Sequence, residues 1–122
     1  MKQKTEAIFF ECKKRLIHRK AEILNGLNVL ATSFQSLDRQ GDEVDQTVHQ
    51  IEENNFVLSQ RRLKEQLYEI ELALSKMENG RYGICEETDE LIEVDRLLAI
   101  PWTRCSIEGA EIREAMLRRF AK

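Results

Sequence analysis

The sequence predicts a mainly α-helical protein: a long antiparallel coiled-coil hairpin, followed by a small globular part that contains a zinc-finger-like remnant and a C-terminal helix. Apolar residues recur at intervals of four and three in two separate stretches. Charged residues make up 34% of the 122 residues, and proline occurs once. Heptad spacing is typical of helices that pack along a narrow seam, and scarce proline leaves helices uninterrupted. We place the hairpin at residues 1–79 and the globular part at residues 80–122.

The two heptad stretches predict the two helices of the hairpin. The apolar positions are Phe9, Leu16, Ile23, Leu27, Leu30, Phe34 and Leu37 in the first, and Phe56, Leu63, Leu67, Ile70, Leu74 and Met77 in the second. A helix of about 33 residues is about 50 Å long, so two such helices bury one another along one seam. Asn79-Gly80 is a helix-stop signal and ends the second helix.

The segment 38–47 predicts the turn of the hairpin. Gly41 fits a helix end that needs a positive φ, and Asp42 fits the N-cap of the following helix. A short link between heptad helices makes an antiparallel pair whose polar tip lies far from both termini. Periodicity alone is equally compatible with a coiled coil that dimerises with a second chain.

Charge and composition exclude several classes of protein. The formal net charge of −3 disfavours sequence-independent DNA binding, which depends on neutralising phosphates with basic residues. No apolar run approaches the ~20 residues that span a bilayer, and the N-terminus lacks the apolar core of a signal peptide. Three cysteines without an export signal are typical of the reducing cytoplasm. The two ends are basic and the middle is acidic, which fits solvated helix faces or a contact with a metal or basic partner.

The segment after Gly80 has the spacing of a zinc finger with half of its thiolates. A four-cysteine module reads C-x₂-C, a gap of about 15–20 residues, and C-x₂-C. Cys85 and Cys105 occupy the first position of each pair, whereas Thr88 and Glu108 occupy the second.

These features together resemble the DksA/TraR family of bacterial transcription factors, which act in the secondary channel of RNA polymerase. The resemblance covers nearly the whole chain up to residue 114. Its residues are Gly80-x-Tyr82-Gly83-x-Cys85, Arg96-Leu97-x-Ala99-x-Pro101 and Cys105 followed by Ala110-Glu111-Ile112-Arg113-Glu114. It implies that the hairpin inserts toward the catalytic magnesium of RNA polymerase while the globular part sits at the channel rim. It further implies a regulator of promoter-complex stability in the stringent response, without catalysis, that reads no DNA sequence directly.

The resemblance assigns the polymerase-proximal tip to Asp42, Asp45 and Thr47. The family tip reads Asp-x-x-Asp-x-Ala, so both acids are kept and Thr47 replaces the alanine. Carboxylates there suit charge-assisted contacts with basic groups near a magnesium site. Helix capping alone explains Asp42 fully and Asp45 partly, because acids stabilise the first turn of a helix.

The ligand rules predict no tightly bound zinc. Structural zinc takes four ligands, mostly Cys and His, whereas Cys85, Thr88, Cys105 and Glu108 supply two thiols, a neutral hydroxyl and a carboxylate. The finger must then be held by apolar packing. The candidate core residues are Tyr82, Ile84, Leu91, Ile92, Leu97, Leu98, Pro101 and Trp102, packed against Ile112, Met116 and Phe120. The resemblance also implies that Cys85 and Cys105 lie close together.

The family resemblance also predicts an equal effect on transcription with and without guanosine tetraphosphate. The basic residues with which some family members bind this nucleotide correspond to Glu69, Ile100 and Gly109, none of which neutralises a diphosphate. Arg96 and Arg104 are the nearby candidates for a substitute.

Three other functions stay open from the sequence. A coiled-coil adaptor would leave its seam open to a second chain and form a dimer, whereas the hairpin predicts a monomer. A zinc hydrolase would need a general base beside an open metal position, for which these residues offer little. A secondary-channel factor that promotes transcript cleavage would also carry an acidic tip.

Overall fold

The computed structural model describes residues 2–39 and 46–120, with side chains from residue 5 onward except those of residues 36–39. Four helices follow one another: α1 (Lys2–Arg39), α2 (Gln46–Glu78), α3 (Val94–Ala99) and α4 (Ile107–Phe120). In these ranges the only extended pairing is an isolated antiparallel bridge between Ile84 and Leu91. The predicted mainly helical fold is therefore confirmed. None of the described helices is both long and apolar enough to cross a membrane.

Packing divides the chain into two compact units, to which α1 and α2 both contribute. Residues 1–18 and 69–122 form one unit, here called the finger unit. Residues 19–68 form the other, here called the paired-helix unit. The predicted boundary between residues 79 and 80 follows the end of α2 at Glu78, whereas the finger unit also includes the C-terminal part of α2.

The paired-helix unit shows the predicted seam. Ile23 is fully buried, and Leu27, Leu30, Phe34, Phe56, Leu63 and Leu67 are half-buried. The rings of Phe34 and Phe56 stack with centroids 4.3 Å apart. Near residues 19 and 68, where this unit begins and ends, Arg19 Nη2 donates a hydrogen bond to Gln66 Oε1 at 3.0 Å. Early residues of α1 thus meet late residues of α2, as antiparallel pairing requires. The side chain of Leu37 lies outside the described residues.

The end of α2 follows the predicted stop signal. The N–H of Arg81 donates to the carbonyl of Lys76 at 2.9 Å, and the N–H of Gly80 donates to that of Met77 at 3.4 Å. Gly80 has a φ of +71°, which a residue without a Cβ adopts at little cost. These two bonds form a Schellman motif, so the last carbonyls of α2 are satisfied as the chain turns into the finger.

The core of the finger unit lies between the first part of α1, the end of α2 and the finger loops. Its buried apolar residues are Cys12, Leu16, Ile70, Ala73, Met77, Cys85, Ile92, Leu97, Pro101 and Cys105. Across this core, Cys12 Sγ donates to the carbonyl of Leu97 at 3.6 Å. Tyr82 packs edge-on against Phe9 and donates its hydroxyl to the carbonyl of Pro101 at 2.8 Å. Residues of α1 and residues of the finger loops, which are far apart in the sequence, therefore contribute to one core.

The predicted finger core is confirmed in part. Ile92, Leu97 and Pro101 are buried, and Tyr82, Leu98 and Trp102 are half-buried. The prediction is wrong for Ile84, Leu91, Ile112, Met116 and Phe120, which are all exposed. The bridge of Ile84 and Leu91 leaves both side chains in solvent. In α4 only Gly109 is buried, and the apolar side chains of its second half are exposed.

Candidate functional site

The two finger thiols lie together in the core, as the resemblance implied. Cys85 is 0% exposed and Cys105 is 5% exposed. Burial, together with the neighbouring Cys85 thiol, raises the pKa of the Cys105 thiol. Burial acts to raise the pKa of the Cys85 thiol, but hydrogen bonds from Thr88 and Ser106 outweigh it and lower the pKa to about 6. The Cys85 sulfur thus obtains its polar partners from protein hydroxyl and N–H groups.

The other two finger positions hold their side chains differently. Thr88 is half-buried, bonds the Cys85 sulfur and also accepts the N–H of Glu90 at 3.3 Å. Glu108 is exposed in the first turn of α4. Within residues 2–39 and 46–120 no three His, Cys, Asp or Glu side chains are grouped so as to hold a metal ion. This donor set does not fit a structural zinc, which takes four ligands that are mostly thiolate or imidazole.

Gly109 brings the first turn of α4 directly against the thiol pair. A Cβ at this position would lie 2.3 Å from Cys85 Sγ and 3.3 Å from Cys105 Cβ. Real Cβ atoms do not approach a neighbour to 2.3 Å, so only glycine fits here. Ser106 caps the same turn, because its Oγ accepts the N–H of Gly109 at 3.1 Å. The Ser106 cap stabilises the first turn of α4, and the absence of a side chain at Gly109 lets this turn pack against the finger.

A cluster of alternating charges joins the finger to α2 and α4. We call it the Glu86 cluster, and its members are Glu69, Lys76, Glu86, Glu87, Arg104 and Arg113. Arg104 binds Glu86 through two bonds, from Nε to Oε2 at 2.8 Å and from Nη2 to Oε1 at 3.2 Å. Lys76 of α2 donates to Glu86 Oε2 at 2.6 Å, and Arg113 of α4 lies 3.5 Å from Oε1. One carboxylate therefore connects three segments of the finger unit.

The outer members complete the Glu86 cluster. Arg104 Nη1 lies 3.2 Å from Glu69 Oε1, and Arg113 Nε lies 2.9 Å from Glu87 Oε1. Hydrogen bonds from Arg104 and Lys76 outweigh burial and lower the pKa of Glu86 to about 2. Three acids and three bases balance, so the cluster carries no net charge. Its bidentate geometry and partial burial favour a larger contribution to stability than an isolated surface pair makes.

We expect Glu86→Gln to destabilise the fold by about 2 kcal/mol at neutral pH, because hydrogen bonds to charged groups are lost. The folded pKa of Glu86 is lowered, so its stabilisation is complete above the ordinary value of 4.5 and is lost as the pH falls toward 2. The melting temperatures of the parent and the variant should therefore converge between pH 5 and pH 2. The exposed Glu108→Gln is the matched control and should show no such convergence. A pH-independent difference between the parent and Glu86→Gln would contradict a charge-based role.

Residues 80–115 match the family described as Prokaryotic dksA/traR C4-type zinc finger. The fold is similar to that of the transcription factor DksA2 from Pseudomonas aeruginosa, with a TM-score of 0.84 and 28% identity, over 93% of this chain and 88% of that one. The RNA polymerase-binding transcription factor DksA of Caulobacter vibrioides is 30% identical over 103 residues, which are 84% of this chain and 72% of the relative. The chain belongs to the DksA/TraR family. An uncharacterized protein of Aquifex aeolicus is also similar, with 36% identity over 83% of this chain and 72% of its own length.

The tip predicted from this family falls mostly outside the described residues. Its residues outside the described ranges are Asp42, which was predicted to be the N-cap, Asp45, and the predicted turn glycine Gly41. Thr47 is the second residue of α2 and is exposed. The assignment of these three residues to a polymerase-proximal tip therefore stays a prediction.

The resemblance matched Glu69, Ile100 and Gly109 to nucleotide-binding residues, and none of these three side chains is basic. Glu69 forms an ion pair with Arg104, and Gly109 is buried beneath the thiols. Arg96 donates its Nε to the carbonyl of Cys105 at 2.8 Å. The two arginines considered as substitutes thus already bind a carboxylate and a backbone carbonyl of the finger.

Sequence reasoning missed Glu86 and the packing role of Gly109. A glycine in the first turn of a helix is the one local signal, because glycine weakens a helix and needs a packing or functional reason. For Glu86 the sequence has no comparable signal, since its partners lie 10, 18 and 27 positions away.

Proposed function

We propose that this chain binds RNA polymerase through the secondary channel and alters the stability of promoter complexes at initiation, without catalysis. Its membership of the DksA/TraR family supports this, together with the name of the Caulobacter relative, which is an RNA polymerase-binding transcription factor. The fold similarity to DksA2 over 93% of this chain extends the support beyond the finger. The protein would act in the cytoplasm, where its partner is, and as a monomer.

The antiparallel pairing of α1 and α2 is the observation that carries this proposal. Ile23 of α1 is buried, Leu27, Leu30 and Phe34 are half-buried, and Phe34 stacks on Phe56 of α2 in the same chain. A seam filled within the chain favours an inserting hairpin over an adaptor that dimerises through that seam. In this proposal the turn between the helices presents Asp42, Asp45 and Thr47 to the polymerase, and the finger unit supplies the contact at the channel rim.

The direct test is binding to core RNA polymerase followed by transcription from ribosomal and amino-acid promoters. We expect binding in the absence of DNA, competition with another secondary-channel factor, and altered lifetimes of promoter complexes. A stalled-complex assay separates this function from transcript cleavage. Cleaved transcripts would favour the cleavage-factor alternative, and a dimer without affinity for polymerase would favour the adaptor.

We further propose that the finger folds without a resident zinc ion. Two of the four finger positions lack a thiolate, and the Cys85 sulfur is hydrogen-bonded to Thr88 and Ser106. The Glu86 cluster and the contact at Gly109 supply links between the finger and α4 that a metal supplies in a four-cysteine finger.

We expect the purified chain to contain no stoichiometric zinc, and a strong chelator should leave its melting temperature unchanged. In proteins that depend on structural zinc, chelation removes folding free energy and unfolds the chain. Elemental analysis and thermal unfolding with and without chelator are the measurements. The double variant Thr88→Cys/Glu108→Cys supplies four thiols at finger spacing and serves as the comparison. One zinc per parent chain, or melting at a lower temperature after chelation, would refute the proposal.

A further inference from the structure

The paired-helix unit contains a small cavity between α1 and α2 that the family assignment does not explain. It has a volume of about 240 Å³ and opens to solvent. Its walls are mainly apolar and also carry polar side chains, and the lining residues are Leu30, Ser33, Phe34, Glu52, Asn55, Phe56 and Ser59. No lysine, arginine or histidine lines it. The cavity therefore offers apolar and aromatic surface together with hydroxyl and amide groups, and its one charge is negative.

One carboxylate oxygen of the half-buried Glu52 has no hydrogen-bond partner within the described chain. Its Oε2 atom is buried and accepts no hydrogen bond, and it is the only such buried side-chain atom in the described part of the chain. A buried acceptor without a partner costs free energy, and a charged one costs more than a neutral one. Folded proteins satisfy nearly all such atoms, so we expect a hydrogen-bond donor to reach this oxygen through the open cavity.

A guanidinium fits the chemistry of this lining. The guanidinium of arginine has five N–H donors in a planar fork and accepts nothing, which suits a carboxylate beside hydroxyl and amide groups. The rings of Phe34 and Phe56 also line the cavity, and arginine binds aromatic rings by stacking and cation–π attraction. A water molecule could bond Glu52 but would gain nothing from the rings.

We propose that this cavity receives an arginine side chain of RNA polymerase, which pairs with Glu52. The inference rests on the proposed function, because it supplies the partner. It adds a specific docking contact on the sides of the helices, separate from the predicted tip. The contact gives Glu52 the partner that it lacks in the free chain, so binding relieves an unfavourable burial.

The test is Glu52→Gln, measured both for affinity to core RNA polymerase and for thermal stability. Removing the charge should weaken binding about tenfold, since pairs with a buried charge contribute strongly to complexes. It should leave the melting temperature unchanged or raise it, because an unpaired buried carboxylate is removed from the free protein. A role of Glu52 in the fold alone would lower the melting temperature instead. The neighbouring exposed Glu53→Gln is the matched control and should change neither quantity.

A benzophenone amino acid at Asn55 locates the partner, since this residue lines the cavity. The cross-linked polymerase peptide should contain an arginine whose change to glutamine weakens binding about as much as Glu52→Gln. The two changes together should add little to either one, as expected for a direct pair. Unchanged affinity of Glu52→Gln, or independent effects of the two changes, would overturn this contact while leaving polymerase binding established. Failure of the parent chain to bind polymerase would overturn both the contact and the proposed function.

Discussion

Replacing Asp45 with asparagine is expected to abolish the effect of this protein on promoter complexes while its affinity for RNA polymerase stays nearly unchanged. The proposed role of Asp45 is a charge-assisted contact with basic groups near the polymerase magnesium, and asparagine keeps the shape but removes the charge. Affinity should change by no more than about twofold, because the proposed role of this one charge lies in regulation and not in binding. Binding and regulation should therefore separate in this one variant.

The measurement is transcription in vitro from a responsive promoter at saturating concentrations of each protein. Glu65→Gln is the matched control, since it removes an exposed carboxylate from α2 within the paired-helix unit. The control should regulate like the parent. If Asp45→Asn retains the full promoter response at saturation, Asp45 has no part in the mechanism, and helix capping becomes the sufficient explanation for that acid.

The helices were predictable because their signals are local and repeated. Heptad spacing predicted that Ile23 and Ile70 lie in the seam between the helices, and both are 1% exposed. Ile23 lies in the paired-helix unit and Ile70 in the finger unit. Asn79-Gly80 predicted the end of α2, where the Schellman motif forms. In each case the residue type reports directly on a period or a backbone conformation, so no knowledge of distant contacts is needed.

The finger was harder to predict because its stability depends on contacts between distant residues. Leu91 and Phe120 are apolar and were expected in the core, yet they are 81% and 82% exposed. Apolar type alone does not bury a side chain, since much of a folded protein's surface is apolar. Conversely, Glu86 and Arg104 are charged and could be read as solvated residues, but they form a bidentate pair. The same Glu86 carboxylate also pairs with Lys76 of α2 and Arg113 of α4. Only the tertiary structure shows which charges meet.

The finger positions illustrate how a fold can keep the spacing of a metal site after its ligands change. Cys85 and Cys105 stay buried and adjacent, and Thr88 still faces the Cys85 sulfur as a hydrogen-bond donor. In a metal site the sulfur atoms are spaced around an ion, whereas here Cys85 Sγ packs against the backbone of Gly109. A glycine at this point in α4 is therefore the sequence feature that closes the finger, and its substitution has the largest predicted effect on stability.

We expect Gly109→Ala to destabilise the protein by about 1–3 kcal/mol, the usual range for an overpacked core. The new methyl group would lie 2.3 Å from Cys85 Sγ, 3.3 Å from Cys105 Cβ and 3.4 Å from Glu87 Cβ. The sulfur belongs to a short side chain that is 0% exposed, so it cannot move aside without disturbing the core. Chemical or thermal unfolding measures the change.

Gly26→Ala provides the matched control for the intrinsic preference of helices for alanine. Its Cβ would lie 3.6 Å from Leu63 Cδ1, an ordinary contact, so this change should stabilise the protein by up to about 1 kcal/mol. The clash at Gly109 should also depend on the sulfur. In the background of Cys85→Ala, Gly109→Ala should destabilise less than in the parent, with a coupling of about 1–2 kcal/mol. Equal effects of Gly109→Ala in both backgrounds would show that the sulfur does not set the requirement for glycine, and the closure of the finger would then depend on the Glu86 cluster and the Ser106 cap.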